Sequence, residues 1–426
     1  MAIYVCDALM GSGKSQSVIT YINEHPEKRY IYVTPYLDEA ERIRTACDRV
    51  DVYEPPRSGR GSHAKTLYTE GLVHKGLSVA STHQAFIRYP PTLTALIREK
   101  HYTLIIDENL SPLQPAHTTE AYVRTAVDAG YINEIQPDVF RIADREKRGN
   151  LSKGLFDIMQ THDLLLAGKD GAKRVFYWLL PPDLLTSFDD VFILTYMFEG
   201  QGLAHMLEMY GLTYTKLGIT YDVNRDQYRF DPDGTYVPAY TKNIKSMIQL
   251  VDNDKLNAIG DEYYALSKQW FSKPESDIKK LRNNLENYFR HLCVVPPNQR
   301  LWTTFENDEA GEGPHKMLAA KGYSSSFIAC NTRATNTKSK TNVLAYAANL
   351  FPNVAQEMLY QSHGIQTNGD LYALSTLVQW VWRGAIRNGQ RISLYLPSRR
   401  MRELFQNWME DLEQGRDPKE RILQTK

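Results

Sequence analysis

The sequence predicts an α/β protein with two parallel-sheet lobes and a mixed section between them. In the first 110 residues, short apolar runs alternate with stretches of helical periodicity, the pattern of a parallel sheet covered by helices on both faces. The same alternation returns after residue 300. At about 150 residues per domain, the length of 426 residues agrees with two or three domains.

Composition and charge narrow the class of protein. Hydrophobic residues make up 42% and charged residues 23% of the chain, a globular composition that excludes a mainly disordered, collagen-like or coiled-coil protein. The 50 Lys and Arg residues balance the 50 Asp and Glu residues, so a basic groove for nucleic acid would have to be local. The 4 cysteines stand far apart without a CxxC pair, which predicts reduced thiols and neither a zinc site nor a disulfide framework.

We expect a soluble, cytoplasmic protein without membrane contact. No apolar run approaches the roughly 20 residues that a membrane-spanning helix needs. The first residues lack a basic segment followed by an apolar one, so they do not match a secretory signal.

The first lobe is expected to alternate strands and helices. Its first strand enters a Gly-rich turn, and the helix that follows closes before Pro26. Apolar runs rich in β-formers mark the later strands, and apolar residues at helical spacing mark the second helix. The expected strands cover residues 2–6, 30–33, 77–80 and 104–106, and the expected helices cover residues 14–24 and 38–49.

The middle of the chain is less regular. Dense charges and mixed periodicity predict inserted helices at about 110–175, and an apolar run at 191–194 predicts a buried strand. Residues 221–240 contain an Asp-Pro-Asp-Gly turn and predict a hairpin or a connecting loop. Apolar residues at helical spacing predict an amphipathic helix over 276–292.

The second lobe repeats the α/β pattern. Strands are expected at 301–305, 326–330 and 392–396, and a helix is expected over 371–387. The charged tail after Arg416 is expected to fray.

A phosphate-binding loop is the most specific motif. Residues 8–15 read Ala-Leu-Met-Gly-Ser-Gly-Lys-Ser between a strand and a helix, the context in which backbone N–H groups cradle phosphates at a helix start. Lys14 would reach the β- and γ-phosphates of ATP, and the Ser15 hydroxyl would coordinate Mg²⁺. The candidate nucleotide-binding residues of the loop are Gly11, Ser12, Gly13, Lys14 and Ser15. A Gly/Ser turn with a chance lysine is the alternative.

Two acids end an apolar strand at residues 103–108. The carboxyl end of a buried parallel strand is where ligand-binding groups collect, beside the phosphate loop. Asp107 would hold Mg²⁺, and Glu108 would polarise the attacking water as general base, which favours hydrolysis over kinase chemistry. Acids that merely cap a strand are the alternative, and the upstream phosphate loop argues against it.

An arginine-bearing segment lies far downstream of the acids. Gln379, Arg383 and Arg387 are spaced i, i+4, i+8, so on one helix they would share a face. An arginine held against the γ-phosphate stabilises transition-state charge. The alternative is a solvated basic face with Trp380 and Trp382 packed in the core.

In order along the chain, these residues resemble the motifs of superfamily 2 helicases of the compact bacteriophage type. Residues 8–15 resemble motif I, Asp107 and Glu108 motif II, and residues 379–387 motif VI. The shorter matches are individually weak: they are residues 33–35 for motif Ia, 81–84 for Ib, 194–196 for III, 302–305 for IV and 334–341 for V. Motif III lacks its Ser-Ala-Thr, and no glutamine-containing adenine motif precedes the loop.

The resemblance implies two RecA-like parallel-sheet domains with an inserted helical region. Domain 1 would cover 1–200, with the insertion at about 110–175, and domain 2 would cover 301–426. Residues 201–300 would connect them or join domain 2. ATP and Mg²⁺ would bind between the lobes, with Arg383 and Arg387 as fingers and Gln379 near the γ-phosphate. The residues expected to touch a nucleic-acid backbone are Thr34, Thr82, Thr335 and Asn336. Base stacking by Trp302, Trp382 or Tyr196 is the less favoured reading, because each also suits the core.

The function expected from these motifs is an ATP-dependent helicase or translocase. It would move along single-stranded DNA and unwind duplex or forked DNA in phage replication or recombination, with RNA as an open alternative and replication proteins as candidate partners. The host cytoplasm would be its location. An ATP-switched remodelling or binding protein, acting on a protein partner through residues 110–175 or 205–300, is the second reading. A nucleotide kinase is a third and weaker one.

Overall fold

A computed structural model of the chain describes residues 1–35, 37–54, 62–168, 174–308, 310–330 and 338–424. The chain divides into two compact units. The first unit contains Met1–Ala8, Gly13–Tyr236 and Asn353–Thr367. The second unit contains Leu9–Ser12, Val237–Pro352 and Asn368–Lys426. The region 201–300, expected to connect the lobes or to join the second one, contains a boundary between the units after Tyr236.

The secondary structure of these described residues alternates strands and helices. The strands are β1 (Ala2–Asp7), β2 (Arg29–Thr34), β3 (Val52–Tyr53), β4 (Ser78–Thr82), β5 (Tyr102–Asp107), β6 (Leu113–Pro115), β7 (Ile132–Gln136), β8 (Val139–Ile142), β9 (Asp163–Ala167), β10 (Val175–Leu179), β11 (Asp190–Thr195), β12 (Thr215–Lys216), β13 (Gly218–Asp222), β14 (Gln227–Asp231), β15 (Ile248–Leu250), β16 (Arg300–Thr303), β17 (Val343–Tyr346) and β18 (Ile392–Tyr395). The helices are α1 (Lys14–Glu24), α2 (Leu37–Ala46), α3 (Ser62–His74), α4 (His83–Phe86), α5 (Pro91–Glu99), α6 (Glu120–Asp128), α7 (Lys153–Met159), α8 (Asp183–Thr186), α9 (Gly202–Met209), α10 (Ile244–Met247), α11 (Asp254–Asn257), α12 (Glu275–Asn287), α13 (Pro314–Leu318), α14 (Val354–Ser362), α15 (Gly369–Val381), α16 (Arg399–Glu413) and α17 (Pro418–Gln424).

The first unit is built on a parallel sheet with the strand order β12-β1-β11-β5-β2-β4-β3. Each neighbouring pair of strands in this sheet is parallel. In β5, Leu104 and Ile106 pack into one hydrophobic core and Ile105 packs into another. Successive side chains of a strand point to opposite faces, so both faces of the sheet are covered. This confirms the predicted α/β class for the first lobe.

The register of this sheet aligns the carboxyl ends of its central strands. Asp107 pairs with Leu194 across β5 and β11, and Asp7 pairs with Thr195 across β1 and β11. On the other side, Thr34 pairs with Thr82 across β2 and β4. Polar side chains at the ends of separate strands are therefore gathered along one edge of the sheet.

The insertion is mixed rather than purely helical. The expected helices are present as α6 and α7, but the insertion also contains an antiparallel sheet that the sequence pattern did not predict. Its strand order is β6-β10-β9-β8-β7. The two helices and this sheet enclose a core that includes Val123, Phe140 and Leu155. Helix α14 returns from later in the chain, and its Tyr360 packs on the opposite face of the sheet.

A hairpin follows the last long strand of the main sheet. Strands β13 and β14 pair antiparallel from Gly218 with Asp231 to Asp222 with Gln227. Of the predicted hairpin or connecting loop over 221–240, the hairpin is present, but it begins three residues earlier and turns at 223–226. The Asp-Pro-Asp-Gly turn at 231–234 comes at the end of the hairpin and does not connect its strands. Strand β14 lies along α1, where Phe230 stacks on Phe192 with ring centroids 5.6 Å apart.

The second unit holds a smaller parallel sheet in the order β15-β18-β17-β16. Its core includes Trp302, Tyr288 and Tyr395, all buried. The amphipathic helix predicted over 276–292 is α12, continued by a π-helix over Tyr288–Leu292. The two parallel sheets together confirm the predicted fold class.

Two predictions for the second unit are wrong. Residues 326–330 do not form a strand: Phe327 makes one isolated bridge to Trp302 after a short 3₁₀ turn. The helix predicted over 371–387 is α15, which ends at Val381. Strand β17, which the sequence pattern did not predict, lies between β16 and β18 and pairs parallel with both.

Among the helices of the described residues, none has the length and apolar character that a membrane span requires.

Candidate functional site

The predicted phosphate loop joins β1 to α1 in the structure. Ala8 continues the sheet by donating its N–H to Thr195 O at 3.1 Å. Gly11 and Gly13 have φ of 75° and 87°, and Gly13 forms the N-terminal cap of α1. These positive φ values suit glycine because it has no Cβ. The loop therefore requires its two glycines for backbone conformation, as a loop that turns its N–H groups inward does.

Lys14 is half-buried at the start of α1. Its ammonium donates to the carbonyl of Ala8. Desolvation by the surrounding protein lowers the pKa of Lys14, and the nearby groups of Cys6 and Asp107 oppose that shift. A cation whose solvation is reduced gains from an anionic ligand, so this position suits a phosphate group.

Asp107 lies at the end of β5, opposite the first turn of α1. Its Oδ2 is 3.4 Å from the Ser15 hydroxyl and accepts a 2.5 Å hydrogen bond from the Tyr32 hydroxyl. Burial raises the pKa of Asp107 to about 6, with Glu108 adding to the shift and the Tyr32 hydrogen bond opposing it. A serine hydroxyl and a carboxylate are the oxygen ligands that Mg²⁺ uses beside nucleotide phosphates. The two predicted metal ligands, Ser15 and Asp107, therefore fit Mg²⁺.

Glu108 adopts a strained backbone conformation. Its φ is 65°, in the left-handed region that non-glycine residues rarely occupy. The Glu108 N–H donates to Leu194 O at 2.9 Å, which holds this conformation against β11. Its Oε2 is buried and has no hydrogen-bond partner among the described residues. Strain of this kind is concentrated at functional sites, and a buried carboxylate oxygen without a partner still needs a hydrogen-bond donor.

The predicted nucleic-acid contacts of the first unit lie along the same sheet edge. Thr34 is buried, and its hydroxyl has no hydrogen-bond partner within the described ranges. Thr82 is half-buried and caps α4 by accepting from the N–H of Ala85 at 3.3 Å. The other two predicted contacts, Thr335 and Asn336, lie outside the described residues.

Two functional candidates were missed from the sequence. Tyr32 lies in β2 and reaches the Asp107 carboxylate, as described above. His83 follows Thr82, and its Nε2 is 2.9 Å from the backbone carbonyl of Asp107. His83 lies inside the motif-like stretch 81–84, but the resemblance predicts a nucleic-acid contact for Thr82 alone in that stretch. Tyr32 carries no sequence signal, because its approach to Asp107 follows from the pairing of β2 with β5.

The arginine segment differs from the prediction. Helix α15 ends before Arg383, and Arg387 lies in a 3₁₀ turn over Ala385–Asn388. Arg383 is buried and Arg387 is exposed, so the expected common helix face is wrong. Gln379, within α15, donates to Ser375 Oγ at 3.1 Å.

The break at Gly384 has a packing cause. The N–H of Ala385 donates to Thr341 O at 2.7 Å, which draws the chain out of the helix. A Cβ on Gly384 would lie 3.0 Å from that same carbonyl oxygen and from Leu344. The chain can therefore turn here because the residue is glycine.

The remaining predicted residues are in the second unit or in cores. Gly11 and Ser12 belong to the segment Leu9–Ser12 of the second unit, where the Tyr240 hydroxyl donates to Met10 O at 2.7 Å. The Ser12 hydroxyl is buried and has no hydrogen-bond partner in the described part of the chain. The candidate stacking aromatics Tyr196, Trp302 and Trp382 are all buried, as the core reading expected.

Comparison with known proteins finds a family model that matches part of the chain and a relative that matches nearly all of it. The model of a family described as "YonV C-terminal Rossmann-like domain" matches residues 242–409, which contain the parallel sheet of the second unit. The "SPbeta prophage-derived uncharacterized protein YonV" of Bacillus subtilis (strain 168) is 34% identical over 418 residues, covering 96% of this chain and 99% of that protein.

Solved structures give more distant likenesses. "XPD_Helicase" has a TM-score of 0.46 at 10% identity, covering 98% of this chain and 95% of that chain. "Structure of S. tokodaii Xpd4" has a TM-score of 0.41 at 13% identity with the same coverage.

Proposed function

The chain belongs to the YonV family, and we propose that it is a nucleic-acid-stimulated ATPase that works as a helicase or translocase. The substrate is ATP with Mg²⁺, and the track is single-stranded or forked DNA, with RNA as the alternative. The proposal extends the superfamily 2 resemblance of the motifs to an activity. The prophage-derived name of the relative supports a phage-encoded protein. Action in the host cytoplasm, during DNA replication or recombination, is part of the proposal.

The observation that carries the proposal is the approach of Ser15 to Asp107. The hydroxyl that follows the loop lysine lies 3.4 Å from the carboxylate at the end of β5. These two groups come from sequence positions far apart, and parallel strand pairing brings them to one edge. A glycine turn with a chance lysine would not require an acid at that place.

Each residue at this edge of the sheet has a separate proposed role in ATP hydrolysis. Lys14 would bind the β- and γ-phosphates, and Ser15 with Asp107 would hold Mg²⁺, which supplies charge neutralisation on the phosphate oxygens. Glu108 would accept a proton from the attacking water through its buried, unpaired Oε2. Its fixed backbone holds the carboxylate in place before the water arrives.

The arginines complete the proposal. We assign Arg383 to the stabilisation of negative charge on the γ-phosphate, with Arg387 and Gln379 as further candidates. Arg383 is the stronger candidate because it is buried, and a guanidinium removed from water interacts more strongly with a phosphate.

Of the two predicted contacts in the first unit, Thr82 supports nucleic acid as the partner, because Thr34 is fully buried. Both end strands at the same sheet edge as Asp107, and they pair with each other across β2 and β4. Hydroxyl groups contact a sugar-phosphate backbone without needing net positive charge, which agrees with the balanced charge of the chain. His83 connects this position to the backbone of Asp107.

The test is ATP hydrolysis measured without nucleic acid, with single-stranded DNA and with single-stranded RNA. We expect one nucleic acid to stimulate turnover about tenfold or more. The Glu108→Gln variant should lose about 10²-fold or more of that turnover while it still binds ATP. Glu99→Gln, an exposed acid at the end of α5, is the matched control and should behave as wild type.

A second measurement separates a motor from a switch. A forked duplex with one labelled strand reports strand separation in the presence of ATP. Turnover that responds to neither nucleic acid would contradict the motor. If a partner protein alone stimulated turnover, the ATP-switched remodelling function would replace it, with the compact insertion as the docking candidate.

A further inference from the structure

Three tyrosines of the first unit form a cluster on the hairpin that follows the main sheet. Tyr221 and Tyr228 are cross-strand partners in β13 and β14, with ring centroids 4.8 Å apart. Tyr236 meets Tyr228 edge to face at 5.3 Å, and their hydroxyl oxygens are 3.3 Å apart. All three side chains are half-buried. We call Tyr221, Tyr228 and Tyr236 the hairpin tyrosine cluster.

This cluster lies directly on the phosphate loop. A Cβ built on Gly13 would be 2.3 Å from Cδ1 of Tyr228, so the tyrosine ring rests on the Cα of Gly13. Gly13 immediately precedes Lys14 and Ser15, the residues proposed to bind phosphate and Mg²⁺. Tyr228 therefore lies beside the loop residue that precedes the proposed phosphate and Mg²⁺ ligands.

The hairpin is anchored to α1 along its length. Arg229 of β14 pairs with Glu24 at the end of the helix. Phe230, also in β14, contacts the ring of Tyr21, with centroids 6.3 Å apart. These contacts fix the position of the cluster relative to the start of the helix, so the aromatic surface is present before a ligand binds.

The charges of the hairpin select the kind of ligand. The hairpin segment 221–236 has more acidic than basic residues. It contains four acids, Asp222, Asp226, Asp231 and Asp233, and two arginines, Arg225 and Arg229. The Tyr221 hydroxyl donates to Asp226, and Thr220 donates to Asp231 at 2.7 Å. Negative charge repels a phosphate backbone but tolerates an uncharged heterocycle, whose amino group donates hydrogen bonds to such acceptors.

We propose that the hairpin tyrosine cluster binds the base of the nucleotide whose phosphates occupy the loop. The inference rests on the proposed function and adds the site for the base, which the motifs left unassigned. An adenine ring stacks on the half-buried ring of Tyr221, while Tyr228 holds the cluster against Gly13. Stacking of a base on an aromatic side chain contributes about 1–3 kcal/mol, or roughly 5- to 150-fold in affinity.

The test compares ligands with and without a base by equilibrium calorimetry on the full chain. The ligands are ATP and inorganic tripolyphosphate, each with Mg²⁺. We expect ATP to bind at least fivefold more tightly than tripolyphosphate. Tyr221→Ala should remove most of that difference and leave tripolyphosphate affinity unchanged, whereas Tyr221→Phe should retain it. Val223→Ala, an exposed position at the hairpin turn, is the control and should match wild type.

A spectroscopic measurement gives a second readout of stacking. A 2-aminopurine nucleoside triphosphate should lose fluorescence on binding to the wild-type chain and to Tyr221→Phe, and it should lose less on binding to Tyr221→Ala. Unchanged ATP affinity in Tyr221→Ala would overturn the base site.

The remaining outcomes separate the base site from the phosphate site. Parallel losses of ATP and tripolyphosphate affinity in Tyr221→Ala would also overturn the base site, because the hairpin would then only support the loop. If tripolyphosphate bound normally and ATP bound no tighter, the base site alone would fail. If neither ligand bound the wild-type chain, the proposed ATPase would fail with it.

Discussion

The Tyr32 hydroxyl donates a 2.5 Å hydrogen bond to Oδ2 of Asp107. The same oxygen lies 3.4 Å from the Ser15 hydroxyl, so two hydroxyl groups, one of a tyrosine and one of a serine, contact one carboxylate oxygen. Both Tyr32 and Asp107 are buried, and neither side chain can turn to solvent. Tyr32 is therefore a positioning residue: it fixes the orientation in which Asp107 faces the start of α1.

Replacing Tyr32 by Phe should raise the Mg²⁺ concentration that ATP hydrolysis requires. The substitution removes the hydrogen bond that orients Asp107 and keeps the ring in the core. Partners that orient a ligand typically contribute 10- to 100-fold in metal affinity or activity, so we expect the Mg²⁺ concentration for half-maximal ATP hydrolysis to rise about tenfold. Tyr30→Phe is the matched control, since Tyr30 is equally buried in β2 and donates to His25 O. Equal behaviour of the two variants would contradict the role of Tyr32.

His83 should couple nucleic-acid binding to ATP hydrolysis. It follows Thr82 and contacts the backbone carbonyl of Asp107. Coupling between two sites is typically about 1–3 kcal/mol, so His83→Ala should reduce the stimulation of ATPase activity by nucleic acid about fivefold or more. The Gln84→Ala control changes the exposed neighbour in α4 and should retain full stimulation. The ratio of stimulated to basal turnover is the quantity to compare, and a normal ratio in His83→Ala would rule out the coupling.

The two arginines should differ in their effects. Arg383→Ala should reduce turnover about 10³-fold and leave ATP binding intact, as the loss of a charge-stabilising arginine does. Arg387 is exposed on a separate turn, so Arg387→Ala should have the smaller effect. Single-turnover hydrolysis and ATP binding are measured together, with thermal melting to identify a folding defect. Wild-type turnover by a folded Arg383→Ala chain in the presence of nucleic acid would show that the assignment is wrong.

Glu108→Gly should stabilise the fold and abolish the activity. A left-handed conformation costs a non-glycine residue about 1–2 kcal/mol, and glycine avoids that cost. We expect the free energy of unfolding to rise by about 1 kcal/mol while ATP hydrolysis falls by about 10²-fold or more. His101 has φ of 57° at an exposed site, so His101→Gly should give the stabilisation without the loss of activity. Denaturant unfolding beside ATPase assays tests both, and a destabilised Glu108→Gly would contradict the assigned strain.

The free energy of unfolding should decrease as the pH is lowered from 6.5 to about 4, because His162 is buried in the folded chain. Burial lowers the pKa of His162 to about 4 from an ordinary value of 6.5. The unfolded chain then takes up a proton before the folded chain does, so stability is full above pH 6.5 and declines between about pH 6.5 and 4. The contribution of this one group is at most about 1.4 kcal/mol per pH unit. Urea unfolding at several pH values should show a shallower decline in His162→Gln, and identical slopes would contradict the prediction.

The elements with a strong local signal were predictable from the sequence. Helix α1 has the predicted bounds because its start is fixed by the glycines of the loop and its end by Pro26. The strands of the main sheet are continuous apolar runs, as parallel strands buried on both faces are. The acids at 107 and 108 followed from the same rule, since a buried strand that ends in polar residues marks the ligand-binding edge.

The missed elements depend on tertiary contacts. Strand β9 is a short apolar run that periodicity alone does not distinguish from a buried helical segment. The break at Gly384 depends on the Thr341 carbonyl, which sequence spacing does not reveal. Tyr32 approaches Asp107 only because β2 pairs with β5, and no motif around Tyr32 predicts that it orients this carboxylate.

The strand order of the main sheet has a consequence for the timing of synthesis. Strand β1, which leads into the phosphate loop, pairs only with β11 and β12 among the described strands, and Ala2 pairs with Asp190. At about 5–20 residues per second, the ribosome takes roughly 10–40 s to make its first partner. The last piece of the unit, α14, emerges later still. Nascent chains therefore expose the apolar strand β1 for that interval. Fragments that stop before residue 190 lack β11 and β12, the strands that hold β1 and the phosphate loop in position.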